Sequence, residues 1–170
     1  MTNIQPAQQE DAPTLAKIHV ESWRFAYKGQ IPDSYLESLS IEDRTESWQR
    51  ILSPENNQSK IFVLINDDAI QGFISVGVCR DEDLPNTNGE VYSIYLDPSA
   101  IGKSFGRKLF EYGENILKEQ GYKTASLWVL KTNKHAKEFY EKAGWELDGT
   151  EKTETNKGVD LVEVRYKKTL

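Results

Sequence analysis

Apolar positions along this chain switch between a helical and a strand periodicity. From Asp11 to Tyr27, Leu15, Ile18, Trp23 and Ala26 recur at near-helical spacing behind an Asp11 to Pro13 start, which predicts a helix. Gly29 to Pro32 interrupts the pattern. Tyr35, Leu36 and Leu39, then a stretch after Ser40 ending in Trp48, Ile51 and Leu52, predict a second helix in two pieces. Lys60 to Ile65 and Ala69 to Val78 are apolar and β-branched, and with Asp67-Asp68 between them they read as an antiparallel hairpin. Asp81 to Gly89 reads as a turn-rich acidic loop, and Glu90 to Leu96 as a third strand.

Past Asp97-Pro98 a loop leads into a helical pattern from Phe105 to Gln120, with Leu109, Phe110, Gly113, Ile116 and Leu117 on one side and Gly121 closing it. Thr124 to Leu130 reads as a strand, Asn133 opens a helix through Ala143, and Gly144 ends it. Trp145 to Leu147 begins another strand, and Val159 to Tyr166 alternates apolar and charged residues as a terminal strand with one wet face. No repeat or linker divides the pattern, so the expectation is one domain over residues 1–170, a mixed α/β sheet covered by helices.

Composition narrows the function classes. The chain has 170 residues, 38% hydrophobic and 28% charged, enough for one buried core. Its 21 Lys and Arg against 27 Asp and Glu give a net charge of -6, which argues against a nucleic-acid partner. No apolar run approaches the roughly 18 residues needed to cross a bilayer, and the polar opening lacks the order of a secretory leader. The single Cys79 cannot form an internal disulfide, which points to a cytoplasmic setting. Only His19 and His135 are present, far apart, so no metal is expected. Neither histidine is read as catalytic. Cys79 reads as a small buried hydrophobe, Asp81-Glu82-Asp83 as a solvated run, and Trp23, Tyr27 and Tyr35 as core.

The stretch richest in chemistry is the strand-to-helix junction Ile101-Gly102-Lys103-Ser104-Phe105-Gly106-Arg107. The first N–H groups of a helix lack internal partners and favour an anion, small residues let a phosphate approach, and Ile101 to Phe110 is locally basic with no acid. The spacing fits neither a P-loop nor a dinucleotide fingerprint. Preceded by Asp97-Pro98 and followed by Lys108-Leu109, this segment resembles the pyrophosphate loop of the GNAT acetyltransferases, with Gly102 and Gly106 matching. Ile101 stands where that family has Arg or Gln, and Ser104 where it has Gly. Leu127 to Leu130, Asn133, Ala136, Phe139-Tyr140 and Lys142-Ala143-Gly144-Trp145 resemble the family's later motif. His19 to Trp23, Tyr27, Ile31-Pro32 and Tyr35-Leu36 resemble one branch of its uncharacterised members.

The resemblance implies a mostly antiparallel central sheet with a splayed strand pair, flanked by helices. It implies an N-acetyltransferase that passes the acetyl group of acetyl-CoA to a primary amine of a small molecule or peptide, by direct attack in a ternary complex. Tyr140 matches the general acid near the sulfur, and Glu90 stands where relatives place a base. The backbone of Ile94, Tyr95 and Leu96 maps to the pantetheine contacts, Gly102, Lys103, Ser104, Phe105, Gly106 and Arg107 to the pyrophosphate, and Asn133 to the cofactor arm or a helix cap alone. By a period of two, Tyr92 shares a face with Glu90 and Ile94, and Tyr95 with Val91 and Ser93. Family members are often homodimers, although no residue here marks an interface. The alternative from another class is a CoA-binding sensor or partner-binding protein that kept the fold and lost catalysis.

Overall fold

The computed structural model describes residues 1–170. The chain runs β1 (Thr2–Pro6), α1 (Ala12–Ala26), α2 (Asp33–Glu37), α3 (Ile41–Ile51), β2 (Ser59–Asn66), β3 (Ala69–Val78), β4 (Asn88–Leu96), α4 (Phe105–Glu119), β5 (Thr124–Leu130), α5 (Lys134–Lys142), β6 (Glu146–Asn156) and β7 (Val159–Thr169). The strands form one seven-stranded sheet in the order β1-β2-β3-β4-β5-β7-β6. Every pairing is antiparallel except β4 with β5. That parallel pair is short: Asn88, Gly89 and Glu90 match Thr124, Ala125 and Ser126, and beyond Glu90 the two strands part.

Helices cover both faces. On one side α4 buries Phe105, Leu109, Phe110 and Leu117 against Phe62, Leu64, Ile74, Val76 and Val91, with Trp145 and Tyr166 completing the core. The approach is close because Gly113 has no side chain: a Cβ there would stand 2.4 Å from Ile74 Cδ1. On the other side Leu15 and Ile18 of α1 and Trp48 of α3 pack on Val63 and Phe73. Tyr27, Ile31, Tyr35 and Leu36 then cover Leu130 and Leu161 at the far end of that face.

Three features depart from the sequence expectation. β1 is an additional edge strand, hidden because Ile4 is the only aliphatic residue in Thr2–Pro6. β6 continues to Asn156 through the polar run ELDGTEKTETN, since an edge strand held by β7 needs no apolar alternation. In β4 the pairing with β3 passes from Ser75↔Ser93 to Val76↔Val91 and leaves Tyr92 as an extra residue. That bulge breaks the period of two. Val91 joins Ile94 and Leu96 in the core under α4, while Tyr95 turns to the α1 side beside Phe73.

Candidate active site

Where β4 and β5 part, a cleft of about 950 Å³ passes through the sheet. Its walls are β4 from Val91 to Leu96, β5 from Leu127 to Leu130, the N-terminal turn of α4, the start of α5, and the C-terminal half of α1. It gathers Ile94, Tyr95, Leu96, Gly102, Ser104, Phe105, Gly106, Arg107, Asn133 and Tyr140. It does not include Lys103, which lies on the exposed loop, nor Glu90.

One end of the cleft is built for an anion. Gly102 has φ +84° and Ser104 φ +64°, so the loop turns twice through the left-handed region before α4 begins. No side chain caps α4 and no acid lies in its first turn, which leaves the N–H groups of Phe105, Gly106 and Arg107 without intrahelical partners. A Cβ on Gly106 would meet Leu96 Cδ1 at 3.4 Å and Phe139 at 3.7 Å, ordinary contacts. The fold therefore does not require glycine at 106; a ligand approaching the backbone would.

The β4 wall supplies free peptide groups. Asp97 N–H bonds to Gln71 O at 2.8 Å, and an antiparallel ladder alternates, so Tyr95 directs its backbone to β3 while Ile94 and Leu96 direct theirs to the opening. Ser22 Oγ donates to Leu96 O at 2.7 Å. Of the three residues mapped to pantetheine contacts, Tyr95 thus contributes a side chain rather than an amide.

Three phenols meet in the middle. Tyr140 is 9% exposed, and its hydroxyl has no hydrogen-bond partner in the protein. Burial raises its pKa, and the neighbouring Tyr95 and Tyr27 phenols add to the effect, so it is fully protonated at neutral pH. Tyr95 accepts from Trp23 Nε1 at 3.1 Å and stacks on His19 at 4.5 Å. Tyr27 accepts from Asn133 Nδ2 at 2.9 Å, while Asn133 Oδ1 accepts from Ala136 N–H at 3.1 Å. Asn133 thus caps α5 and joins it to α1. His19 lies behind Tyr95 with Nδ1 unpartnered, its pKa pushed down to about 3 by burial and then by Arg44. His135 is exposed at the cleft mouth.

Glu90 is not the accessible carboxylate that the strand-end position suggested. It is 1% exposed, and its Oε1 accepts the Arg80 backbone N–H at 2.9 Å while its Oε2 takes Arg80 Nε at 3.2 Å and Nη2 at 2.5 Å. The same guanidinium covers the Tyr92 ring at 4.4 Å. Burial lifts the Tyr92 pKa to about 12. Glu90, Cys79 and Asp81 bring ligand-type atoms within 4.8 Å of one another, but Asp81 already accepts Trp128 Nε1–H at 3.0 Å and pairs with Arg165. The acidic run is likewise tied down: Arg165 donates to Asp83 at 2.7 and 2.8 Å and to Asp148 at 2.5 Å.

The carboxylate that does line the cleft is Glu163, at the centre of β7. It is half-buried, has neither a hydrogen bond nor an ion pair, and has its pKa raised, chiefly by burial. Alternation along VDLVEVRY puts it on one face with Val159, Leu161 and Arg165, a face to which the sequence reading assigned no function. What the sequence does not show is that Tyr27, Ile31, Tyr35 and Leu36 cover that face around Leu161.

Residues 17–145 match the model of the family described as "Acetyltransferase (GNAT) family". An uncharacterised N-acetyltransferase, YuaI, of Bacillus subtilis (strain 168) is 31% identical over 134 residues, covering 78% of this chain and 74% of the relative. A spermidine N(1)-acetyltransferase of Thermoplasma acidophilum is 26% identical over 151 residues, covering 87% of this chain and 90% of the relative. Among solved structures, the PaiA N-acetyltransferase of Thermoplasma acidophilum in complex with coenzyme A superposes with a TM-score of 0.74 at 25% identity, covering 100% of this chain and 99% of that one.

Proposed function

The chain belongs to the GNAT acetyltransferase family, and from that premise we propose that it moves the acetyl group of acetyl-CoA to a primary amine of a small molecule or peptide, by direct attack within a ternary complex. One observation carries this reading. The β4 and β5 strands separate after Glu90, and the gap joins an uncapped helix N-terminus at one end to a desolvated, unpartnered phenol in the middle. The coenzyme A complex of the similar Thermoplasma protein supports the same donor.

The residues present fit that donor. The N–H groups of Phe105, Gly106 and Arg107 would hold the pyrophosphate, helped by the turns at Gly102 and Ser104, with Lys103 adding charge from the loop. Ile94 with both its backbone groups and Leu96 with its N–H, its carbonyl being taken by Ser22, offer pairing sites for an extended pantetheine arm. Acetyl-CoA supplies an activated thioester carbonyl. Tyr140 keeps its proton in the buried gap and can give it to a departing thiolate. Asn133 fixes the start of α5, and with it the position of Tyr140. The spermidine acetyltransferase among the relatives supports including polyamines in the acceptor panel.

The test is Tyr140→Phe. Turnover is expected to fall by about 100-fold or more, the usual worth of a positioned acid, with acetyl-CoA affinity unchanged. Affinity can be read from thermal stabilisation, which at 100 times Kd amounts to about 2.7 kcal/mol. Equal loss of binding and turnover would argue against the acid role. Stabilisation of the native chain without thiol release across a broad amine panel would replace the transferase reading by the sensor one.

A further inference from the structure

The proposed reaction needs a base on the acceptor side, and the position that sequence resemblance offered, Glu90, is closed inside its pair with Arg80. Two other carboxylates line the cleft. Glu138 is exposed at its mouth, 3.9 Å from Lys134. Glu163 is deeper, on the α1 side, and unpartnered.

We infer that Glu163 takes the proton of the incoming ammonium group, and that the acceptor is an alkylamine that arrives as a cation with no carboxylate beside its nitrogen. This rests on the transferase reading above. Trp23, Tyr27, Tyr92 and Trp128 line the cleft with Glu163, and its other charged lining residues, Arg107, Lys134 and Glu138, lie on α4 and α5. Of the charged groups facing Glu163, Lys152, its cross-strand neighbour on β6, and Arg80 favour its charge, while burial, Glu154 and Glu90 oppose it, burial most of all. Lys152 of β6 lies over the Trp128 ring at 4.3 Å and 3.9 Å from Glu154, and Arg80 is held by Glu90. Tyr27, just past the end of α1, and Tyr95 of β4 are close enough to sense its charge, and both phenols already accept a hydrogen bond, so each has its own proton free to point elsewhere. Aromatic walls around one carboxylate suit an organic cation. An α-amino acid would bring a second carboxylate beside Glu163, where the nearest cation, Lys152, is already shared with Glu163, Glu154 and the Trp128 ring.

The protons balance. The ammonium loses one proton to Glu163, which passes it to solvent, and the freed lone pair forms the C–N bond as the C–S bond breaks. Tyr140 protonates the thiolate and recovers a proton from the nitrogen, which ends as a neutral amide.

The experiment has two arms, both on the whole chain. In the first, wild type and Glu163→Gln are compared from pH 6.5 to 10 with 1,5-diaminopentane, while acetyl-CoA binding is followed by thermal stabilisation. The expected result is about a 100-fold loss of kcat/KM at pH 7 that shrinks as the amine deprotonates by itself in solution, with unchanged acetyl-CoA binding and a profile restored by Glu163→Asp. A loss constant with pH, or no loss, overturns the assignment, because a merely structural role would not follow the ionisation of the amine. In the second arm wild type should favour pentylamine over norleucine, its counterpart with a carboxylate beside the single nitrogen, by at least about tenfold; equal turnover overturns the substrate class. A wild type that binds acetyl-CoA yet acetylates no amine sinks the transferase reading itself, and this is seen before any variant is made.

Discussion

His19 shows how a single side chain can carry a pH dependence without touching chemistry. Burial holds its folded pKa near 3, against a usual value of 6.5, so the unfolded chain binds the extra proton across that window. Stability is therefore complete above pH 6.5 and is lost as pH falls below it, on the order of 1 kcal/mol per pH unit until about pH 3. Urea unfolding at pH 7 and pH 5 should show that loss, and His19→Phe should flatten most of it; an unchanged slope in the variant would place the dependence elsewhere. The histidine read as an ordinary helix residue because its sequence gives spacing and not cover. The same limit explains the two glutamates. Glu90 looked available because strands usually begin at the surface, whereas the Arg80 that occupies it follows β3 rather than β4. Glu163 was not singled out because alternation distinguishes two faces and cannot say which one the rest of the chain later covers. Tyr140 and the Gly102 to Arg107 loop were legible because their neighbours in sequence are also their neighbours in space.

At the scale of elements, the most readable were those whose own residues make the pattern: α4, β2, β3 and β5 lie within one or two residues of their expected limits. β1 and β6 were obscured because edge strands take their hydrogen bonds from a neighbour and leave their side chains in water. The bulge at Tyr92 was invisible for a related reason, since an extra residue shows only against the partner's register. Such joins between elements can be tested through Asn133. Replacing it by Ala removes the cap of α5 and the tie to Tyr27 together, and the cap alone is worth about 1 kcal/mol. Asn133→Ala should therefore lower Tm by several degrees, and Asn133→Ser, which can cap but cannot reach as Asn133 does, should recover only part of it. If the serine variant recovers stability fully, the link to α1 adds nothing.

At the scale of the whole molecule, the cleft poses a mechanical problem, because it divides the sheet that contains it. Strands β1 to β4 and β5 to β7 share the ladder only from Asn88 to Glu90, so other contacts must keep the halves in register. Asn88 supplies one, donating to Ser126 Oγ at 3.0 Å and accepting from Thr124 Oγ1 at 2.8 Å. Arg165 supplies the larger one. From β7 it reaches Asp81 and Asp83 in the loop that leads into β4, as well as Asp148 and Thr150 of β6, with its side chain only 4% exposed. The charge run at 81 to 83 is therefore a clasp across the opening, and its partner lies more than 80 residues along the chain, where no local reading could connect them. Removing Arg165 strands the largely buried Asp81 and Asp148, while the exposed Asp83 returns to water; stranding buried partners costs about 3–5 kcal/mol, whereas replacing a network by neutral groups of similar shape is far milder. Arg165→Met should thus sharply lower the urea midpoint, and Arg165→Met combined with Asp81→Asn, Asp83→Asn and Asp148→Asn should regain a substantial part of it. If the combined variant is less stable than Arg165→Met alone, the stranded carboxylates are not the source of the loss. If Arg165→Met unfolds at the wild-type midpoint, the halves are held by the other cross-links, the Asn88 contacts, the Trp128–Asp81 and Asn133–Tyr27 hydrogen bonds and the short parallel ladder.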